Sequence, residues 1–195
     1  LVGSEMCIRD RWGACHPSFY LRGHTVIRSA QPSDAAGIAR VHVRSWQQAY
    51  AGLMPAEYLD ALEKTLTQRE AGWRKAIEDA QEQAFVALVE GEIVGWVAVG
   101  GSRDADVEPQ ETGEVRAIYV LAEYWRSGIG RALWVAAINA LIEQGFKRVT
   151  LWVLADNQRA ISFYSRAGLA PEIASRRSLS RGGRELEEVR YQGAL

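Results

Sequence analysis

The stretch from Gly113 to Leu154 leaves the chain little freedom in how it can fold. "GEVRAIYVL" (113–121) is rich in β-branched residues and reads as a strand, as does "RVTLWVL" (148–154). Between them Ile129, Leu133, Ala136, Ala137, Ala140 and Leu141 recur at helical spacing, and Gly145 ends the run. Strand, helix and strand in that order make a crossover connection, which lays the two strands parallel in one sheet. The helix is entered through "YWRSGIGRAL" (124–133), where Gly128 and Gly130 flank Ile129.

The flanking segments extend this sheet. "TVIRSA" (25–30) reads as a strand, punctuated by Pro32 and by Ser33 as a helix N-cap. Ile38, Val41, Ser45, Trp46 and Ala49 then mark an amphipathic helix ending near Gly52. Pro55 opens a second helix with Tyr58, Leu59 and Leu62, and "QREAGWRKAIEDA" a third. "AFVALVEGEIVGWVAVGG" is two apolar runs around "EGE", a hairpin signal, followed by a polar loop over 102–112. A short helix over 157–168 closes at Gly168, and two strands follow around Gly182–Gly183. This order predicts one α+β domain with a mixed, mainly antiparallel sheet.

Bulk properties exclude several classes. A net charge of −1 gives no global attraction to nucleic acid or to an acidic membrane. No apolar run approaches the roughly 20 residues of a membrane span. Cys7 and Cys15 are too few for a disulfide framework, and His16, His24 and His42 show no metal-ligand spacing with them, so no metal is expected. "LVGSEMCIRD" has neither periodicity nor the apolar core of a signal peptide, and looks like a translated sequencing adapter or a natural disordered tail. Residues 1–23 are therefore set apart as non-native or disordered, and 24–195 as a single domain. A cytoplasmic location is expected, because nothing in the chain addresses it elsewhere.

A helix N-terminus carries unpaired N–H groups and a partial positive charge, and glycines at its entry let an anion approach the backbone. "WRSGIGRAL" fits a phosphate loop of this kind. Gly128 and Gly130 bare the backbone, Ser127 offers a hydroxyl, Arg126 and Arg131 offer charge, and Ile129 turns inward as an anchor. A plain strand-to-helix turn fits these residues equally well. A dinucleotide fingerprint is excluded by Leu133, and a P-loop by the missing Gly-Lys-Ser/Thr ending.

Taken together, "GEVRAIYVLAEYWRSGIGRALWVAAI" and "LWVLADNQRAISFYSRAGL" resemble the GCN5-related N-acetyltransferase (GNAT) superfamily. The second segment carries Asn157, Ala160, Phe163, Tyr164, Gly168 and Leu169 of that family's closing signature, and the likeness extends over roughly 24–193. It implies the acyl-CoA N-acyltransferase fold, with helices on both faces and a sheet splayed between the strands at 113–121 and 148–154. It also implies acetyl-CoA as co-substrate. Ile118, Tyr119 and Val120 match the strand that pairs with the pantetheine arm. Residues 125–131 (Arg126, Ser127, Gly128, Ile129, Gly130 and Arg131 among them) match the pyrophosphate loop, and Asn157 a cofactor-side polar contact. One departure stands out: Trp125 occupies the place of a usual Gln or Arg, and Arg126 a place often held by Gly.

The implied reaction moves an acetyl group to a primary amine by direct attack. Tyr164 matches the family tyrosine that acts as general acid at the CoA sulfur, and Glu114 the position of a catalytic base. Core packing for Tyr164, a solvated carboxylate paired with Arg116 for Glu114, and a water chain as base remain alternatives. In a regular strand Glu114, Arg116 and Ile118 share a face. Trp46, Tyr50 and Tyr58 fall where the family walls its acceptor pocket. The acceptor is a small-molecule amine or a peptide; a homodimer is left open. A non-catalytic acyl-CoA-binding module and a protein N-terminal or lysine acetyltransferase are the competing readings.

Overall fold

The computed structural model describes residues 25–80 and 83–195; the tail over 1–23 lies outside them. Twelve strands and helices follow in chain order. They are β1 (Thr25–Ser29), α1 (Ala35–Ala49), α2 (Ala56–Ala61), α3 (Leu66–Glu78), β2 (Gln83–Val89) and β3 (Glu92–Gly101). Then come β4 (Thr112–Val120), α4 (Ile129–Glu143), β5 (Arg148–Leu154), α5 (Gln158–Arg166), β6 (Ala170–Arg181) and β7 (Arg184–Ala194). The strands form one sheet in the order β1-β2-β3-β4-β5-β7-β6. Every neighbouring pair is antiparallel except β4 and β5. The expected α+β architecture, with its single crossover through α4, is the one observed.

Sequence chemistry accounts for the turns. Glu90 and Gly91 both take positive φ, 51° and 85°, as a two-residue hairpin between right-twisted strands requires. Gly145 and Gly168, at φ 88°, follow the ends of α4 and α5. The start of α1 differs from expectation. A short 3-10 turn over Pro32–Asp34 precedes it, and Asp34, not Ser33, organises the entry. Its carboxylate accepts from the Gln31 amide at 2.7 Å and from both Nη atoms of Arg28, at 2.6 and 2.9 Å.

Helices cover both faces. Gly95 and Trp96, adjacent in β3, point to opposite sides. A Cβ on Gly95 would lie 3.1 Å from Leu133 of α4. Trp96 meets Trp73 of α3 and His42 of α1, at ring separations of 4.7 and 5.4 Å. The core joins Ile38, Val41, Val97, Leu133, Leu141, Val149 and Leu151, all essentially inaccessible. A second cluster of Val43, Met54, Leu59, Leu62 and Leu186 ties the N-terminal helices to the closing hairpin.

Two irregularities in β4 open the middle of the sheet. Ala98 opposes Ala117 but Val99 opposes Val115, so Arg116 is an extra residue, a bulge. The alternation that would have put Glu114, Arg116 and Ile118 on one face is therefore broken between them. Secondly, β4 pairs with β5 only through Thr112–Arg148, Gly113–Val149 and Glu114–Thr150. Beyond Glu114 the two strands part, and the sheet is split.

The Asp34 cluster seats the helix that walls this split. Asp34→Ala should destabilise the protein by about 1–3 kcal/mol in urea unfolding. Arg28 holds the Asp34 carboxyl below its ordinary value. Its contribution is therefore full above the unfolded carboxyl pKa and lost as pH falls through the folded one. The stability gap between wild type and variant should accordingly narrow below about pH 4.

Candidate active site

The split opens a cleft of about 1840 Å3 whose walls come from β4, α1, the β4–α4 loop, β5, α5 and the closing hairpin. Of the residues expected there, Glu114, Ile118, Tyr119, Val120, Arg126, Ser127, Gly128, Gly130, Arg131, Asn157 and Tyr164 all line it. Ile129 does not. It is 2% exposed and anchors the loop in the core.

The head of α4 has the geometry of an anion seat. Gly128 is left-handed at φ 89° and precedes the first helical turn. Among the described residues, no backbone carbonyl accepts from the amides of Gly128, Ile129 or Gly130, as expected for a first turn. A Cβ on Gly130 would meet only Phe163, at 3.8 Å, so the approach is open. The Ser127 hydroxyl donates to the Tyr124 carbonyl at 2.6 Å, so its proton is already used and the donors facing the cleft are amides. Arg126 adopts φ 63°, the left-handed region that glycine fills without strain.

Trp125 spans the mouth of the split. Its Nε1 donates to the Val120 carbonyl at 2.9 Å. The Leu121 amide bonds back to Val94 of β3, so the preceding Val120 carbonyl points away from β3, into the gap. The guanidinium of Arg159, from α5, sits 3.3 Å from the centre of the Trp125 ring. Sequence reasoning missed Arg159. Its position two residues after Asn157, facing a tryptophan in an otherwise polar loop, was the available signal. Asn157 itself caps α5, its Oδ1 accepting from the Ala160 amide at 3.2 Å.

Three phenols meet across the split: Tyr50 at the end of α1, Tyr119 on β4 and Tyr164 on α5. Burial raises all three above the ordinary phenol value, and Tyr164 and Tyr50 are raised further by Tyr119. Each stays protonated at neutral pH. Tyr50 and Trp46 line the cleft, whereas Tyr58 does not and packs against the β6–β7 turn at Gly182.

Glu114 is buried and its partner is Arg103, not Arg116. Oε2 accepts from the Arg103 amide and Nε at 3.1 and 3.0 Å, and Oε1 from Nη2 at 2.6 Å. Arg116 instead donates to the Gly101 carbonyl at 3.3 Å. Arg177 and Arg181 lie in strand β6, and Arg177 stacks 3.5 Å from the centre of Trp152. Among the described residues, no helix is long and apolar enough to cross a membrane, and no cluster of His, Cys, Asp and Glu could hold a metal ion.

Residues 42–169 match the model of the acetyltransferase (GNAT) family. The chain belongs to the acetyltransferase (GNAT) family. It is an enzyme of the acyltransferase class that this family comprises. The chain is similar to the uncharacterized N-acetyltransferase YuaI of Bacillus subtilis (strain 168), 32% identical over 164 residues, which cover 84% of this chain and 89% of the relative. The N-acetyltransferase of Staphylococcus aureus Mu50 shares the fold at a TM-score of 0.69 and 18% identity, covering 88% of this chain and 99% of that one. So does yncA, a putative acetyltransferase from Salmonella typhimurium solved with acetyl-CoA. Its TM-score is 0.65 and its identity 20%, covering 89% of this chain and 95% of that one.

His42 lies beside this cleft between Trp46, Trp96 and Tyr119. Burial, then the nearby Arg69 charge, push its pKa down from 6.5 to about 3. Between those values the unfolded chain binds a proton that the folded one refuses. Stability should therefore fall as pH drops below 6.5, by up to about 1.4 kcal/mol per pH unit from this group. Urea unfolding of His42→Phe between pH 6.5 and 4 should show a flatter profile than wild type.

Proposed function

We propose that this GNAT-family enzyme transfers the acetyl group of acetyl-CoA to a primary amine by direct attack. The observation that carries the reading is an anion seat at the head of α4 opening directly onto the split edge of β4. A cofactor with a pyrophosphate at one end and an amide-bearing arm at the other needs both. The free amides of Gly128, Ile129 and Gly130 would take the phosphate oxygens, with Arg126 and Arg131 adding charge. Arg159, held over Trp125, supplies on α5 the cation that the usual Gln or Arg would have supplied in the loop. Backbone groups of Ile118, Tyr119 and Val120 along the parted strand would pair with the arm, and the Nδ2 donors of Asn157 remain for it once Oδ1 has capped α5.

Acetyl-CoA brings the activated carbonyl; the chain orients it and manages protons. Tyr164, protonated and buried in the wall of the cleft, would donate a hydrogen bond to the departing sulfur. Its raised pKa makes full proton transfer to a thiolate uphill in the ground state. It therefore stabilises sulfur charge as that charge develops, with transfer coupled to cleavage of the C–S bond. Arg103 holds the Glu114 carboxyl at the pivot of the split. There it can accept the proton of the attacking amine directly or through water. The enzymatic reading is favoured over a binding module by this protonated donor in the cleft.

Titration calorimetry with acetyl-CoA, paired with a CoA-release assay over a panel of amines, tests the reading. Binding without turnover on any amine would leave the binding module. Gly128→Glu should abolish acetyl-CoA binding, since it sets bulk and negative charge in the anion seat; unchanged affinity would refute that seat. Tyr164→Phe should lower kcat by roughly 10- to 100-fold, the loss of one hydrogen bond to a charged group, with a smaller rise in the acetyl-CoA KM. An unchanged kcat with chemistry limiting would return Tyr164 to a packing role.

A further inference from the structure

A second recess, of about 330 Å3, lies between α1, α3 and the β3–β4 pair. Arg69, Arg103, Arg116, Trp73, Trp96 and His42 contribute to its lining. Among the described residues no Asp or Glu lines it. Arg103, Arg116 and Ala117 line both this recess and the main cleft, so the two adjoin at the β4 bulge. That is the point where the strand parts from β5.

The charges around the recess are unequal in their partners. Arg103 is engaged with Glu114, and Arg116 reaches the Gly101 carbonyl. Arg69 donates from Nε to the Thr65 hydroxyl at 2.8 Å, and its Nη1 lies 3.3 and 3.4 Å from the two ring nitrogens of His42. His42 is neutral, and among the described residues no Asp or Glu of the recess faces this guanidinium. Nearby, the indole Nε1 of Trp96 is buried without a hydrogen-bond partner. A cation with its fork directed at no carboxylate, an orphaned buried donor and flat apolar walls make a site for a small anion with an apolar neighbour. A polyamine or other polycation would meet only like charge there.

We infer that the acceptor of this enzyme is a small amine that also carries a carboxylate, whose carboxylate is bound in this recess by Arg69. The inference rests on the acetyltransferase reading for its amine, and on the recess alone for its carboxylate. The Nη edge of the Arg69 guanidinium can hold one carboxylate through two parallel hydrogen bonds. The bulge between recess and cleft then sets the amine end toward the parted edge of β4, where the thioester is expected.

Two measurements separate the parts. Calorimetry with N-acetyl-leucine and N-acetyl-leucinamide reads the recess without any turnover, and the acid should bind at least tenfold tighter. Initial rates over a panel of L-amino acids and their amides should give an acid-to-amide ratio of kcat/KM above ten. Arg69→Gln should bring both ratios to near one. Arg69→Lys, which keeps the charge but not the fork, should retain part of the preference and controls for loss of folding. Equal binding of acid and amide by the wild type, or better turnover of amides or polyamines than of acids, would overturn the inference. Tighter binding of the acid with no turnover of any amine would sink the acetyltransferase reading and leave the anion recess standing.

Discussion

Three residue pairs between β4 and β5 hold the two halves of this molecule in one sheet. Past Glu114 the strand pairing stops, and the two sides meet again only through side chains, as in the cluster of Val43, Met54, Leu59, Leu62 and Leu186 and in the bonds of Trp152 and Arg190 to Asp104. A fully paired sheet would have buried the edge of β4 and left no passage. The short pairing instead leaves a strand whose backbone groups face a gap. Glu114 stands at the last pair, held by Arg103, so the carboxylate of the site is also at the hinge of the split.

The loop that follows β4 shows how a local departure is offset from elsewhere in the fold. Trp125 brings an indole to the head of α4, and its ring is a platform for Arg159 of α5. A further cation reaches the loop from the opposite wall, and the two walls are linked through an indole. Arg126 meanwhile keeps the left-handed turn that a glycine would adopt more cheaply. A strained arginine where glycine would do is consistent with the side chain serving the seat.

Most of the architecture was legible in the sequence, because its signals are local. Strand periodicity, the Glu90–Gly91 turn and the glycines after α4 and α5 each act within a few residues. The Asn157–Leu169 signature is local in the same way, and its Asn157 and Tyr164 both line the cleft. What escaped was non-local. The bulge at Arg116 is a matter of register against β3, and no property of β4 alone announces it. It moved the partner of Glu114 from Arg116 to Arg103, which arrives from a polar loop eleven residues upstream. Arg69 reads as one more charge on an amphipathic helix until α3 is laid against Trp96. The start of α1 was misread because two capping residues, Ser33 and Asp34, are adjacent, and Arg28 from β1 decides between them.

The bond from Trp125 to the Val120 carbonyl has a thermodynamic consequence. A pantetheine arm that pairs with Val120 does not find a vacant acceptor; it must take one from an indole. Hydrogen bonds are then exchanged rather than added, and that part of the encounter contributes little net free energy. On the proposed reading affinity comes from the far end, where phosphates would meet amides that no backbone carbonyl engages and the charge of nearby arginines, and from apolar contact along the arm. A fragment such as S-acetyl-pantetheine, which lacks the phosphates, would inherit the exchange without the gain.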